Sequence, residues 1–213
     1  MNYTNEIVEV LRIVAERDHE QKPPGSSALK PDSWRGNVLR LEAGLSEAEL
    51  RRAEEIYTFR FPPDLRELLS QVLPVDPPDA ERRRFPNWRE VPSDDVQGRM
   101  DWPFDLLLFD AMNNQDRLSD WPKEPQPDED LRAMTRATLD KSPRLIPIFA
   151  HRFLPAPPCE SGNPVFSMHG IDTIIYGADL LSYFCNEFKV TDVRTEKPPL
   201  KKIPFWSPLA WDE

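Results

Sequence analysis

Three residues in one short stretch, HRFLPAPPCESGNPVFSMHGID (151–172), are of the types that nucleophilic catalysis and metal binding use: His151, Cys159 and His169. A cysteine hydrolase needs a thiolate within hydrogen-bond reach of an imidazole, and a third group that orients the ring. Cys159 has two imidazoles close in sequence. It sits in APPCESG, however, a proline-bound loop and not a helix N-terminus, where the dipole would stabilise a thiolate. The pattern therefore favours an incidental loop thiol over a nucleophile. Zinc would require four Cys or His in paired short spacings, or three with an open position. Residues 151, 159 and 169 show no such pairing, and Cys185 shares an apolar helical face with Leu181 and Phe188, so no metal is expected. Neither G-x-G-x-x-G nor G-x-x-x-x-G-K occurs, which removes the phosphate-cradling loops, and no cofactor is expected.

His151 and Arg152 directly follow the apolar run RLIPIFA, a position from which side chains emerge at a sheet edge and where binding loops are often carried. The plainer expectation is that Arg152 pairs with an acidic neighbour and His151 caps a loop. Other contact candidates come from charge and aromaticity. The 213 residues carry a formal charge of −10, which disfavours nucleic acid as a partner and favours a basic protein. The segments SDD (Asp94, Asp95) and PDED (Asp128, Glu129, Asp130) are the acidic candidates. Tryptophan concentrates at interface hot spots, so Trp88, Trp206 and Trp211 are further candidates. The alternative for Trp88 and Trp102 is that they pack rigid loops onto a thin core. Proline outnumbers glycine 24 to 7, which favours stiff connections. With two cysteines, no basic and apolar leader and no run near the roughly 20 residues of a membrane span, the expectation is free thiols in the cytoplasm, away from the membrane.

The elements that must position these residues follow from period and punctuation. TNEIVEVLRIVAER (4–17) has Ile7, Val10, Leu11 and Val14 at helical spacing, with Thr4 as the expected N-cap. Ser46 and Glu49 form a capping box ahead of Leu50, Ala53 and Tyr57. Pro62 and Pro63 open the next helix, which Pro74 is expected to end. Residues 74–103 read as a long connection with short ordered pieces, PFDLLLFD (103–110) as a strand, and DEDLRAMTRATL as a helix with an acidic first turn. RLIPIFAH, NPVFSM and TIIYG read as strands with short antiparallel links, and GADLLSYFCNEF as a closing helix. The fold class is α+β, a mostly antiparallel sheet covered by helices.

The acidic helix, proline elbow and second helix in LSEAELRRAEEIYTFRFPPDLRELLSQ, together with the close RLIPIFAHRFLPAPPCESGNPVFSMHGIDTIIYGADLLSYFCNEF, resemble the SMI1/KNR4 family, also called the SUKH superfamily. The stretch PFDLLLFD…DW…LIPIFAHRFLP is similar to a bacterial branch of it. The resemblance covers roughly residues 40–190. It implies one SMI1/KNR4-like domain over 1–190, with the helix and loop of 1–40 as decoration and 191–213 as a Pro/Trp-rich tail. It further implies a non-enzymatic intracellular binding module, such as an immunity protein that occludes a nuclease-type toxin. The alternatives are an adaptor or regulator with another partner, or a hydrolase built on His151 and Cys159.

Overall fold

The computed structural model describes residues 3–20, 39–80, 82–114, 118, 121–122, 124, 126–169, 172–191, 193 and 198–212. Trp34, the stretch 21–33 that the sequence reads as a loop, and residues 170–171 lie outside them. The α+β expectation holds. Helix α1 (Tyr3–Glu20) is followed by β1 (Arg40–Ala43), α2 (Glu47–Tyr57), α3 (Pro63–Gln71) and β2 (Val72–Val75). Next come α4 (Asp94–Phe109), α5 (Asp128–Leu139), β3 (Leu145–Phe149), β4 (Arg152–Pro155), β5 (Val165–His169), β6 (Asp172–Gly177), α6 (Leu180–Phe188), α7 (Trp206–Leu209) and β7 (Ala210–Asp212). β1 and β2 form an antiparallel pair, and β3 to β7 form a five-stranded sheet in sequence order. It is antiparallel throughout except that β7 runs parallel to β6.

Both faces of the larger sheet are covered, so β3 and β4 are buried at every position and show no in–out alternation. Ile146, Ile148, Leu154 and Val165 face a core shared with α1, α2, α3 and α6. Leu145, Phe153, Phe166 and Met168 face Leu107, Ile203 and Trp206 on the other side. The residues expected as N-terminal decoration include α1, whose Ile7, Val10, Leu11 and Val14 are fully buried in the first core. The residues expected as a tail include Trp206, α7 and β7, which close the second face and extend the sheet.

Several local expectations are met atom by atom. Ser46 accepts from the Glu49 amide while Glu49 accepts from the Ser46 amide, and α6 buries Leu180, Leu181, Phe184 and Phe188. Others need correction. Thr4 lies inside the first turn of α1, buried, and donates to Glu67 Oε2 at 2.8 Å. Pro74 sits within β2, where it pairs with Leu41 on a two-stranded edge that tolerates its missing donor. PFDLLLFD is the second half of α4, not a strand. Ser93 caps that helix through the Val96 amide, and Phe104, Leu107 and Leu108 are buried at helical spacing. The supposed connection 74–103 thus contains part of β2, a 3-10 turn at Trp88–Glu90 and half of α4. Arg152–Pro155 is a strand in its own right. Gly177 owes its lack of a side chain to close packing, because a Cβ there would lie 2.5 Å from Tyr183 Cβ.

Candidate functional site

The end of the sheet where β4 begins and β5 finishes gathers the residues singled out by the sequence. Arg152 pairs with Ser167 across β4 and β5, and this places His151 and His169 side by side with ring centroids 4.1 Å apart. Arg152 is only 7% exposed. Its Nε donates to Glu187 Oε2 of α6 at 3.1 Å, its Nη1 donates to Ser167 Oγ at 3.0 Å, and its guanidinium lies 4.2 Å over the Tyr176 ring of β6. The same Nη1 meets His151 Nε2. Arginine can only donate, so that imidazole nitrogen must accept and the proton of the neutral ring sits on Nδ1.

The electrostatics follow from burial. Desolvation, then the neighbouring Arg152 cation and His169, push the His151 pKa down to about 4, so the ring is neutral near pH 7. Burial raises the Glu187 carboxyl against the opposing pull of Arg152. The Tyr183 phenol, buried beside Glu187, is pushed well above its ordinary value, again chiefly by burial. Arg152 Nε and Nη1 are directed at protein acceptors, whereas the buried Tyr183 hydroxyl makes no hydrogen bond. A neutral His151 whose acceptor nitrogen is taken by Arg152 has no lone pair left with which to deprotonate a thiol.

Cys159 is elsewhere. Seven residues, 152–158, separate it from His151 in the chain, and its Sγ donates to Phe61 O at 3.6 Å. Its loop is fixed to α3 by Asp64, which accepts from Gly162 N at 2.8 Å. Among the described residues no group of three His, Cys, Asp or Glu is placed to hold a metal ion. A small, partly open pocket between α3, α6 and Trp88 is lined by Leu68, Phe85, Ile148 and Phe184, with no titratable side chain in its wall.

The other sequence candidates divide into interior and surface. Trp88 is 1% exposed and packs edge-on against Tyr57, Phe59 and Phe61, and Arg89 beside it reaches Glu42 and Glu49. Trp206 is also 1% exposed, and its indole donates to Pro143 O at 2.6 Å. Neither ring presents a surface. Trp211 lies in β7 opposite Ile174, and its side chain is outside the described residues. Asp94 and Asp95 occupy the first turn of α4, and Asp128, Glu129 and Asp130 that of α5, where carboxylates complement the helix dipole. The α5 trio is fully exposed. Trp102, expected to pack a rigid loop onto the core, is instead 45% exposed, and the residues that the sequence reading passed over are Phe109 and Met112. Taking the run 103–110 for a strand hid their common helical face.

The fold and these surfaces define an α+β protein with a closed polar cluster at one sheet end and acidic helix termini on its outside. No protein-family model, curated protein or solved structure matches the chain. Among the described residues no helix is long and apolar enough to cross a membrane.

Proposed function

We propose that the chain is a non-enzymatic protein-binding module that docks a basic partner, an SMI1/KNR4-type protein acting in the cytoplasm, and specifically an immunity protein that blocks a nuclease-type toxin by occlusion. The observation that carries this reading is the exposed carboxylate set of Asp128, Glu129 and Asp130 at the start of α5, with Asp94 at the start of α4, on a chain of net charge −10. Acidic groups on rigid helix ends steer a cationic surface into encounter and suppress acidic competitors. The Arg152 guanidinium supports the same reading, since its Nε and Nη1 donate to Glu187 and Ser167 of the protein itself. The hydrolase alternative lacks a thiol beside its imidazole.

The test is affinity capture from the native host with the wild type and a variant in which Asp128, Glu129 and Asp130 become lysine, both checked for an unchanged circular-dichroism spectrum. The wild type should retain a basic protein encoded beside it, with association slowing as salt rises. Equal retention by the reversed variant, or an acidic partner, would overturn the reading.

A further inference from the structure

The outward face of α4 carries large apolar groups that the described residues leave about half exposed. Gly98, Trp102, Asp105 and Phe109 follow one another at three- and four-residue steps, while Val96, Phe104, Leu107 and Leu108 line the opposite, buried face. Trp102 is 45% exposed and Phe109 56%, and Met112 in the following π-helical turn is 37% exposed. Half-exposed rings of this size present on the order of 200 Å² of aromatic surface, a large share of what a monomer usually leaves in one patch. One turn before Trp102, a Cβ on Gly98 would meet no atom within 4 Å, so the stripe begins in an open notch.

Among the described residues of α4, the charges beside the stripe have one sign. Asp105 is exposed with no ion-pair partner among the described residues, and Asp101 is held only by Gln97 Nε2 at 2.9 Å. The basic residue of the helix, Arg99, is folded away with its side chain 11% exposed, held by Asp95 and by the carbonyls of Arg83 and Arg84. A second copy of this acidic chain would be repelled. A cationic partner would be attracted.

We infer that the Gly98–Phe109 face of α4 is the hot spot of the docking surface, and that it receives an amphipathic helix of the partner whose apolar stripe is flanked by lysine or arginine. This rests on the protein-binding reading and names the place and chemistry of its contact. Trp102 and Phe109 supply the buried anchor, and Met112 supplies an adaptable edge. Asp101 and Asp105 set register and reject acidic helices. From Gly98 to Phe109 the stripe is about 16 Å long, which matches three turns of a helix laid along it. The Ser93 cap and the Arg99 anchor hold α4 in place beforehand, so little ordering is lost on binding.

The test uses a fluorescein-labelled 18-residue model helix with a leucine stripe flanked by lysines, and its twin with glutamates, followed by anisotropy. The lysine peptide should bind wild-type protein, and Trp102→Ala/Phe109→Ala, which keeps every charge, should weaken it about tenfold or more. Asp105→Lys should weaken binding and flatten its salt dependence. Both variants alter exposed residues, and an unchanged thermal midpoint shows that they fold. Affinity within about twofold of wild type for the double variant, or equal binding of the glutamate twin, overturns the inference. A photoreactive residue placed at Gly98, and separately at the exposed Arg60 on the far elbow, separates this from the broader reading. A basic protein cross-linked from position 98 supports both. One captured only from position 60 refutes the α4 face and leaves protein binding standing, and an acidic partner from either position refutes both.

Discussion

Replacing Glu187 by leucine removes the counter-charge of Arg152 without removing bulk. In the native protein the two side chains are 7% and 9% exposed, and Nε and Oε2 are 3.1 Å apart. Arg152 would then keep Ser167 Oγ, the Tyr176 ring and His151, none of them charged at pH 7. Breaking one side of a buried pair in this way costs about 3–5 kcal/mol, because a cation is left desolvated and uncompensated. For a chain of this length, that corresponds to a fall of about 6–20 °C in Tm. The companion variant Arg152→Met/Glu187→Leu removes both charges and should return to within about 1–2 kcal/mol of wild type, the remainder reflecting the hydroxyl of Ser167 left without its donor. Urea unfolding of the wild type, both single variants and the double variant at pH 7 closes the cycle, and a coupling of about 2 kcal/mol or more is expected. If Glu187→Leu costs less than about 1 kcal/mol, or if the double variant costs the sum of the singles, Arg152 is not the desolvated, clamped cation described above.

His151 gives a pH dependence of definite sign. Its folded pKa of about 4 lies below the ordinary imidazole value of 6.5, so between these two the unfolded chain binds more protons and stability falls as the solution is acidified. The full shift would correspond to about 3 kcal/mol, and partial exposure of the ring reduces this to roughly 1–2 kcal/mol between pH 7 and 4. His151→Gln should flatten that part of the urea-derived stability profile, and an unchanged slope would show that the imidazole titrates freely. Trp206→Ala should cost about 3–5 kcal/mol through the lost ring and its hydrogen bond to Pro143, measured by the same unfolding experiment, and a value near zero would mean the second sheet face closes without it.

Where a residue's partner is local, the sequence specifies it well. The Ser46–Glu49 box, Pro63 opening α3 and the apolar face of α6 all depend on spacings of three or four residues, and each is present in the structure. Leu106, Leu107 and Leu108 show the opposite case. Eight apolar-rich residues between prolines and polar turns suit a strand, and only the Ser93 cap upstream, with tertiary packing on α5 and the sheet, makes them helical. β4 was obscured for a related reason: with both faces of the sheet buried, RFLP has no alternation to mark it. At the candidate site, an acidic partner for Arg152 was expected, but its identity as Glu187 depends on a contact 35 residues away that no local pattern encodes. Trp88 and Trp206 were legible as tryptophans in proline-rich segments, whereas their burial is decided by cores assembled from distant elements.

The packing of α1 has a consequence for how the chain comes off the ribosome. Arg17 reaches the Phe188 carbonyl at 3.1 Å, 171 positions later, and the Leu181 amide donates to the Tyr3 hydroxyl at 3.3 Å, so the seat of the first helix, begun by α3, is complete only when the sixth has been made. At about 5–20 residues per second, its greasy stripe of Ile7, Val10, Leu11 and Val14 waits roughly ten to thirty seconds in the open during synthesis. Nascent chains of this protein should therefore engage holding chaperones early and release them only after translation has passed α6.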